Sequence, residues 1–168
     1  MAKIKACIVA FLILIVCTGV SGQRNRIIKI AYSQLGVYEA TGHNDGIAVE
    51  KYLRSCGLGK GYPWCAAYVN WVFKEADLKG PRYPARAASW FNQYLIAKAY
   101  AQPSDLGALY YNRLGRIGHI FIIDRSPPGK YFFTIEGNTN QAGSREGDGV
   151  YRKRRLKKQT YKISRWVK

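Results

Sequence analysis

A cysteine in a suitable setting is the first residue of this sequence that suggests chemistry. Cys65 stands in the stretch GYPWCAAYVNWVFKEA, directly after Pro63 and Trp64 and before apolar residues that recur at helical intervals. This spacing predicts a helix that begins near Cys65. The N-terminus of a helix carries partial positive charge and favours a thiolate, the nucleophilic form of cysteine. The alternative is a cysteine that only packs in the core.

A histidine further along the chain supplies the base that a thiol nucleophile needs. His119 lies in RIGHIFIID, whose branched residues predict a strand with His119 on the same face as Ile117 and Phe121. If the helix of Cys65 packs against that face, the thiol meets an imidazole that can take its proton. The alternative is a structural histidine on an apolar strand.

Two polar residues near the end of the next predicted strand suggest a group that orients the histidine. The stretch TIEGN places Glu136 and Asn138 beyond the apolar residues YFF. A carboxylate or an amide can hold the imidazole ring of a catalytic histidine in one orientation and one tautomer. Taken singly, each of the two residues also fits a turn.

The elements that must position these residues divide the chain into two parts. The first part has helical periodicity, which predicts helices over 24–36, 47–56, 65–76 and 85–99. Asn44 or Asp45 is the expected N-cap of the second helix. After Pro103 the period changes to that of strands, at 107–111, 116–124, 130–137, 149–156 and 161–168. Helices followed by an antiparallel sheet predict an α+β fold.

The first 22 residues have the pattern of a secretory signal peptide. Two lysines precede the apolar run IVAFLILIVC, and small residues lead up to Gly22. We therefore expect export to the periplasm, the cell envelope or the medium after cleavage near Gly22, with residues 23–168 forming a single domain. A retained N-terminal anchor is the alternative, although the apolar run is short of the roughly 20 residues of a spanning helix.

The charge of the chain favours anionic partners. The net charge is +17, and loss of Lys3 and Lys5 with the signal peptide lowers it to +15. Such a charge suits an anionic cell-wall polymer or a membrane surface. The basic segment RKRRLKK has no base-reading motif, so no nucleic-acid partner is predicted, and a solvated strand edge is the alternative for that segment.

The cysteine count excludes a disulfide scaffold. The chain has 4 cysteines, and the predicted cleavage removes Cys7 and Cys17. Two thiols are too few for a disulfide framework in an exported protein. Cys56 falls on the apolar face of the second predicted helix and is expected to pack in the core. A bridge between Cys56 and Cys65 stays open as a rival to a free nucleophile.

Three motifs together resemble a known family. WCAAYVNW, GRIGHIFII and TIEGNTN, in this order, resemble the CHAP family of cysteine- and histidine-dependent amidohydrolases and peptidases. The resemblance covers about 27–155 and implies a papain-like fold, with N-terminal helices packed on an antiparallel, partly barrelled sheet. It also implies cleavage of peptidoglycan, either at the bond between muramic acid and L-alanine or within the peptide stem and cross-bridge.

The resemblance also implies roles for individual residues. Cys65 would be the nucleophile, His119 the general base and later the acid, and Glu136 the partner that orients the ring, with Asn138 completing the quartet. One departure is that many relatives have Gly-Asp before a strand ahead of the histidine, where this chain has Ser104 followed by aspartate.

Residues around these motifs are the expected substrate contacts. The candidates are Trp64, Tyr62, Asn44 and Asp45. No cofactor or metal is predicted, because Asp45 with one neighbouring asparagine is thin support for calcium. We expect a monomer and leave a protein inhibitor open. The second hypothesis is a non-catalytic cationic module that binds the cell wall and keeps the same fold.

Overall fold

The protein is an α+β fold in which three helices precede an antiparallel sheet. The computed structural model describes residues 19–142 and 147–168. The helices are α1 over 19–32, α2 Ile47–Arg54 and α3 Cys65–Glu75. The strands are β1 Leu95–Ile96, β2 Leu106–Tyr111, β3 Arg116–Arg125, β4 Tyr131–Thr139, β5 Gly149–Leu156 and β6 Ile163–Ser164. The predicted fold class is confirmed.

The six strands form one sheet in the order β1-β6-β2-β3-β4-β5, and every neighbouring pair is antiparallel. β1 and β5 are therefore the edge strands, and the sheet is not closed into a barrel. Most of the predicted signal peptide, residues 1–18, lies outside the described residues. Within the described residues, no helix is long and apolar enough to cross a membrane.

The first two helices bury the faces that their periodicity predicts. Ile27 and Ala31 of α1 are fully buried, as are Val49, Tyr52 and Leu53 of α2. The N-cap prediction for α2 is wrong, because the residue at the N-cap position is Gly46, which has no side chain to form a capping hydrogen bond. The expected capping carboxylate turns back into its own loop instead, as described below.

α3 is the central helix of the molecule. Its buried residues occupy nearly every side of the helix, from Cys65 to Phe73. The small side chains of Ala66 and Ala67 are buried where the helix packs against β3, β4 and α2. A helix that is apolar on nearly all sides belongs in the interior. The predicted start of this helix at Cys65 is confirmed.

The prediction of a fourth helix is wrong. The predicted range holds no α-helix: a 3₁₀ turn, Ala87–Phe91, is followed by β1 and by the start of a second 3₁₀ turn, Lys98–Tyr100. Trp90 is held by a hydrogen bond from Nε1 to the carbonyl of Pro84 and packs edge-on against Phe73 and Trp166. Tyr94 has a φ of 57°, which a helix does not allow. Tertiary packing therefore overrides the local helical pattern.

The two faces of the sheet carry separate cores. Ile120, Ile122 and Ile135 pack with the helices, whereas Phe121 and Phe132 belong to a second cluster on the opposite face. α3 therefore covers the face of β3 that does not carry the histidine. The expectation that the Cys65 helix packs on the face shared by Phe121 is wrong.

A gap between β3 and β4 explains how α3, on the opposite face of the sheet, can still bring Cys65 to His119. The two strands are paired from Ile122 and Ile135 towards the hairpin, and the pairing stops on the other side of these residues. The N-terminal end of α3 lies at this gap, where a Cβ on Gly137 would be 2.7 Å from the ring of Tyr68 and 2.8 Å from that of Trp64. The glycine of the TIEGN motif is thus required by the close approach of the helix.

A buried aspartate joins the two ends of the described chain. Asp105, just before β2, accepts hydrogen bonds from Arg24 of α1 at 3.2 Å and from Arg165 at 3.0 and 2.9 Å. The preceding residue, Ser104, has a φ of 72°. This left-handed conformation favours glycine, which gives a physical reason for the Gly-Asp pair expected at this point of the chain.

Candidate active site

The thiol and the imidazole meet at the gap between β3 and β4. The Cys65 sulfur lies close enough to His119, and to the backbone N–H groups of Ile120 and Ala66, for each of them to lower the pKa of the thiol. The N–H of Ile120 lies just beyond the last pair of the β3–β4 ladder. The first residue of α3 therefore takes the place that a strand would otherwise fill, and its sulfur reaches the histidine on the far face.

Cys65 and His119 each stabilise the charged form of the other. Burial raises the pKa of the Cys65 thiol, but the hydrogen bond and the charge of His119 outweigh burial and hold the pKa below its ordinary value. Burial lowers the pKa of His119, but its bonds with Cys65 and Glu136 outweigh that effect and raise the pKa to about 9. Both shifts favour the thiolate–imidazolium pair over the neutral pair.

The third member of the site fixes the histidine ring. His119 Nε2 lies 2.8 Å from Oε2 of Glu136, whose side chain is fully buried. Nδ1 is the remaining nitrogen for the thiol, so Nε2–H donates to the carboxylate. The structure thus brings together Cys65, His119 and Glu136.

Glu136 is held by two further residues. Thr134 Oγ1 donates to Oε1 at 2.5 Å, and Arg155 donates to both oxygens, from Nε to Oε1 at 2.8 Å and from its terminal nitrogen to Oε2 at 2.5 Å. Burial raises the pKa of the Glu136 carboxyl, but the bonds from Arg155 and His119 outweigh it and lower the pKa to about 2. The carboxylate is therefore ionised and fixed in place.

Arg155 is a residue of the candidate site that the sequence did not reveal. Sequence patterning groups it with the basic residues of RKRRLKK as a solvated edge or a polymer-binding segment. In the structure β5 alternates, with Arg152 and Arg154 exposed and Arg155 half-buried against β4. Arg155 is paired with Phe132 and reaches along the same face to Glu136. Only the alternation within RKRRLKK gave a signal for this position.

A bulge in β4 places Asn138 beside the reacting pair. The register of β4 on β5 shifts between Glu136 and Thr139, and Asn138 within the bulge has a φ of 53°. Asparagine tolerates this left-handed conformation better than most residues. Asn138 lines a recess together with Cys65 and His119. In the described part of the chain, the ring of His119 is bonded to Cys65 and Glu136 and not to Asn138.

Trp64 is a correction to the predicted substrate contacts. Its exposed fraction is 0%, and its ring packs against Tyr52 in the core. Nε1 donates to Oε1 of Glu39 at 2.7 Å, while Oε2 of the same carboxylate accepts the backbone N–H of Asn44 at 2.9 Å. Trp64 therefore has no exposed surface for a substrate. Through Glu39, it instead anchors the loop of Asn44 beside Cys65.

The other predicted contacts separate into cleft and loop residues. Asn44 lines the same recess as Asn138, and Tyr62 is 55% exposed in a larger recess on the other side of Cys65. Asp45 accepts two hydrogen bonds from Thr41, from its backbone N–H at 2.9 Å and its hydroxyl at 2.7 Å. These bonds lower the pKa of Asp45 and occupy its carboxylate within the loop.

The thiol lies where two recesses meet. The narrow recess, lined by Asn44, Tyr111, Leu114, His119 and Asn138, has a volume of about 100 Å³. The wide recess, formed by 82–88 and 116–118 with Tyr62, has a volume of about 670 Å³. Cys65, Pro63, Arg116 and Gly118 border both. A chain-like substrate lying across the thiol would therefore have one group on each side.

The two cysteines differ in their surroundings. Both are free thiols. Burial raises the pKa of Cys56, whose sulfur lies near the hydroxyl of Ser55, whereas the pKa of Cys65 is lowered. Cys56 lies at the rim of the core and also lines the wide recess. Across the described residues, no group of three or more metal-ligating side chains is present.

Comparison with known families agrees with the motifs. Residues 57–138 match the family described as the CHAP domain. The match contains Cys65, His119, Glu136 and Asn138, and ends one residue before β4 does. No curated protein matches the chain. The family match expected from the three motifs is thus found over residues 57–138.

Proposed function

From the match of residues 57–138 to the CHAP domain, we propose that the protein is an exported thiol hydrolase that cleaves amide or peptide bonds of bacterial peptidoglycan. CHAP domains are generally hydrolase domains, and amidase or peptidase activity on peptidoglycan is the activity that the family suggests. The observation that carries the proposal is the row Cys65–His119–Glu136 at the junction of two recesses, in which the imidazole lies beside the thiol and is hydrogen-bonded to the carboxylate. Export rests on the predicted signal peptide over residues 1–22.

The first half of the reaction is acylation of the thiol. The Cys65 thiolate attacks the carbonyl carbon of the scissile amide, and the carbonyl electrons move to its oxygen. The first turn of α3 supplies backbone N–H groups for this oxyanion, because the initial N–H groups of a helix have no partner within it. As the C–N bond breaks, the imidazolium of His119 gives its proton to the leaving amine. A thioester remains on the enzyme.

The second half is hydrolysis of the thioester. His119, now neutral, takes a proton from water, and the hydroxide oxygen attacks the acyl carbon. The C–S bond breaks, the carboxylic acid leaves, and the thiolate–imidazolium pair is restored. Throughout, Glu136 holds the Nε2–H and keeps Nδ1 towards the sulfur.

The decisive experiment is digestion of purified sacculi. The protein of residues 23–168 is expected to release soluble fragments, and Cys65→Ala is expected to lower the rate by about 10⁴-fold or more, since loss of a nucleophile removes the covalent path. Cys56→Ala is the matched control, because that sulfur contacts Ser55 and is not bonded to His119. Its rate is expected to stay within a few-fold of the parent.

Other outcomes distinguish the alternatives. Equal release by a folded Cys65→Ala protein would overturn the proposed chemistry. Salt-sensitive binding to sacculi with no release at all would favour the non-catalytic wall-binding module. Mass spectrometry of products from a defined muropeptide separates an N-acetylmuramoyl-L-alanine amidase from an endopeptidase, because the two leave different termini.

A further inference from the structure

Three arginines face the wide recess beside the nucleophile. Arg82 and Arg86 come from the segment before the 3₁₀ turn Ala87–Phe91, and Arg116 opens β3. All three are exposed, and Arg116 borders the narrow recess as well. Within the described chain, no aspartate or glutamate lines either recess. The cleft next to Cys65 is therefore cationic.

The three cleft arginines differ from the arginines that pair with buried carboxylates. Asp105, Asp124 and Glu136 are each paired with arginines elsewhere in the fold. In contrast, none of the three cleft arginines has an ion pair with a carboxylate of the described residues. Their donors are thus left for a molecule that enters the cleft.

Arg82 and Arg86 lie on a loop whose backbone is restrained. Pro81 and Pro84 restrict its backbone, and the carbonyl of Pro84 accepts the Nε1–H of buried Trp90 at 2.8 Å. The backbone N–H of Arg86 donates to the carbonyl of Tyr83 at 3.1 Å. The guanidinium of Arg82 lies 5.4 Å from the centre of the Tyr83 ring. The backbone that carries the two arginines is therefore restrained beside the recess before a ligand arrives.

We propose that Arg82, Arg86 and Arg116 form a carboxylate-binding subsite of the cleft, and that the substrate is a peptide with a free carboxylate near the bond that is cleaved. Guanidinium binds carboxylate through two parallel hydrogen bonds, and a carboxamide cannot replace that charge-assisted contact. This inference rests on the proposed hydrolysis of wall peptides and deepens it. It predicts discrimination between stem peptides with free and with amidated carboxyl groups.

The test measures binding separately from cleavage. Four synthetic muramoyl tripeptides carry a carboxylate or a carboxamide at the glutamyl α-carbon and, independently, at the C-terminus. Their Kd values are measured by calorimetry on full-length Cys65→Ala protein, which leaves the cleft intact without turnover. At least one carboxylate is expected to tighten binding by about tenfold, the effect of a charge-assisted hydrogen bond at a solvated site.

Variants assign that preference to the arginines. In the Cys65→Ala background, Arg82→Gln with Arg86→Gln and Arg116→Gln is expected to weaken binding of the preferred carboxylate peptide about tenfold and to leave the fully amidated peptide unchanged. The matched control removes the same charge at exposed sites outside both recesses, through Lys130→Gln, Arg154→Gln and Lys158→Gln. That control is expected to change each Kd less than twofold.

The outcomes separate this subsite from the proposed function. Equal Kd values for all four peptides, or a preference that survives in the triple arginine variant, would overturn the subsite even if sacculi are digested. A preference that disappears in that variant supports the subsite even if no cleavage occurs. Single variants with unchanged thermal unfolding replace the triple variant if it does not fold.

Discussion

From Cys65 to Arg155, four side chains alternate in the sign of charge that their surroundings favour. Thiolate, imidazolium, carboxylate and guanidinium follow one another, and hydrogen bonds join the last three. Each group lowers the free energy of its neighbour's charged form, which offsets the cost of burying the central two. The charge of the Cys65 sulfur therefore depends on Arg155, which lies on another strand and is linked to it only through His119 and Glu136.

The first residue-scale prediction concerns the pH dependence of thiol alkylation. Thiolate is the reactive form, so Cys65, with a lowered pKa, is expected to react with iodoacetamide with a midpoint below 9, its ordinary value. Cys56, with a raised pKa, is expected to have a midpoint above 9. Mass spectrometry of peptides alkylated across a pH series measures both thiols in one protein.

Two variants serve as controls for this experiment. Cys56→Ser isolates the profile of Cys65, and His119→Ala is expected to raise its midpoint, because it removes the largest influence that lowers the pKa. A profile of Cys65 that coincides with that of Cys56 would contradict the ion pair.

The second residue-scale prediction concerns Arg155. Its replacement by glutamine leaves burial to raise the pKa of Glu136, so the carboxylate loses charge and supports the imidazolium of His119 less. Because the charged pair is lost as pH rises through the pKa of His119, about 9, the alkaline limb of the activity profile is expected to move to lower pH. Activity at pH 8 is expected to fall about tenfold or more.

The control for Arg155→Gln is Arg155→Lys, which keeps the charge but cannot form the two-pronged contact. Its alkaline limb is expected to lie between those of the parent and Arg155→Gln. A variant that loses stability or activity but keeps the parent's alkaline limb would assign Arg155 a purely structural role.

At the scale of elements, the site exists because a helix end is inserted where two strands separate. Trp64 and Tyr68 press against β4 at Gly137, and there a Cβ would be 2.7 to 2.8 Å from their rings. The bulge that follows turns Asn138 towards the narrow recess. The spacing of Glu136, Gly137 and Asn138 is thus explained by one event, the approach of α3 to β4.

This packing predicts the effect of Gly137→Ala. The added methyl group is expected to push α3 from β4 and to lower the free energy of unfolding by about 1–3 kcal/mol, the usual cost of overpacking a core. It is also expected to slow alkylation of Cys65, because the sulfur moves from His119. Urea unfolding and the alkylation rate at pH 7 measure the two effects.

Gly59→Ala is the matched control for this substitution. A Cβ on Gly59 would have no heavy atom within 4 Å, so the change is expected to stay within about 0.5 kcal/mol. Equal stability of the two alanine variants would show that the helix does not rest on Gly137 as closely as the structure has it.

At the scale of the whole molecule, the positive charge is distributed unevenly. The chain has 27 lysines and arginines against 10 acidic residues, and the three most buried acidic side chains are already paired within the fold. Most of the remaining positive charge therefore faces outward, including Arg154 on the β5 edge. That charge also discourages pairing of this edge with another strand.

This surface predicts salt-dependent association with the cell wall. Binding of Cys65→Ala protein to purified sacculi is expected to weaken several-fold between about 0.05 and about 0.5 M NaCl, because screening shortens the range of exposed charges. Sedimentation of protein with sacculi measures it. Lys130→Gln with Arg154→Gln and Lys158→Gln is expected to reduce binding at low salt, and unchanged binding across the salt range would contradict an electrostatic attraction.

The sequence alone determined most of the elements and which residue types stand in the candidate site. The apolar period placed a helix start at Cys65, alternation placed strands around His119 and Glu136, and the order of the motifs identified the family. These features are local, because side-chain type and period act within a few residues. The failed fourth helix shows the limit, since the packing of Trp90 between distant aromatic residues decided that segment.

Only the tertiary structure decided how those residues meet. The packing of α3 on the opposite face of β3, the gap that admits Cys65 and the contact of Arg155 with Glu136 depend on strand register and on bulges. So does the burial of Trp64 away from the cleft. Register joins residues far apart in the chain, and no local pattern in RKRRLKK says which arginine faces a carboxylate on the neighbouring strand.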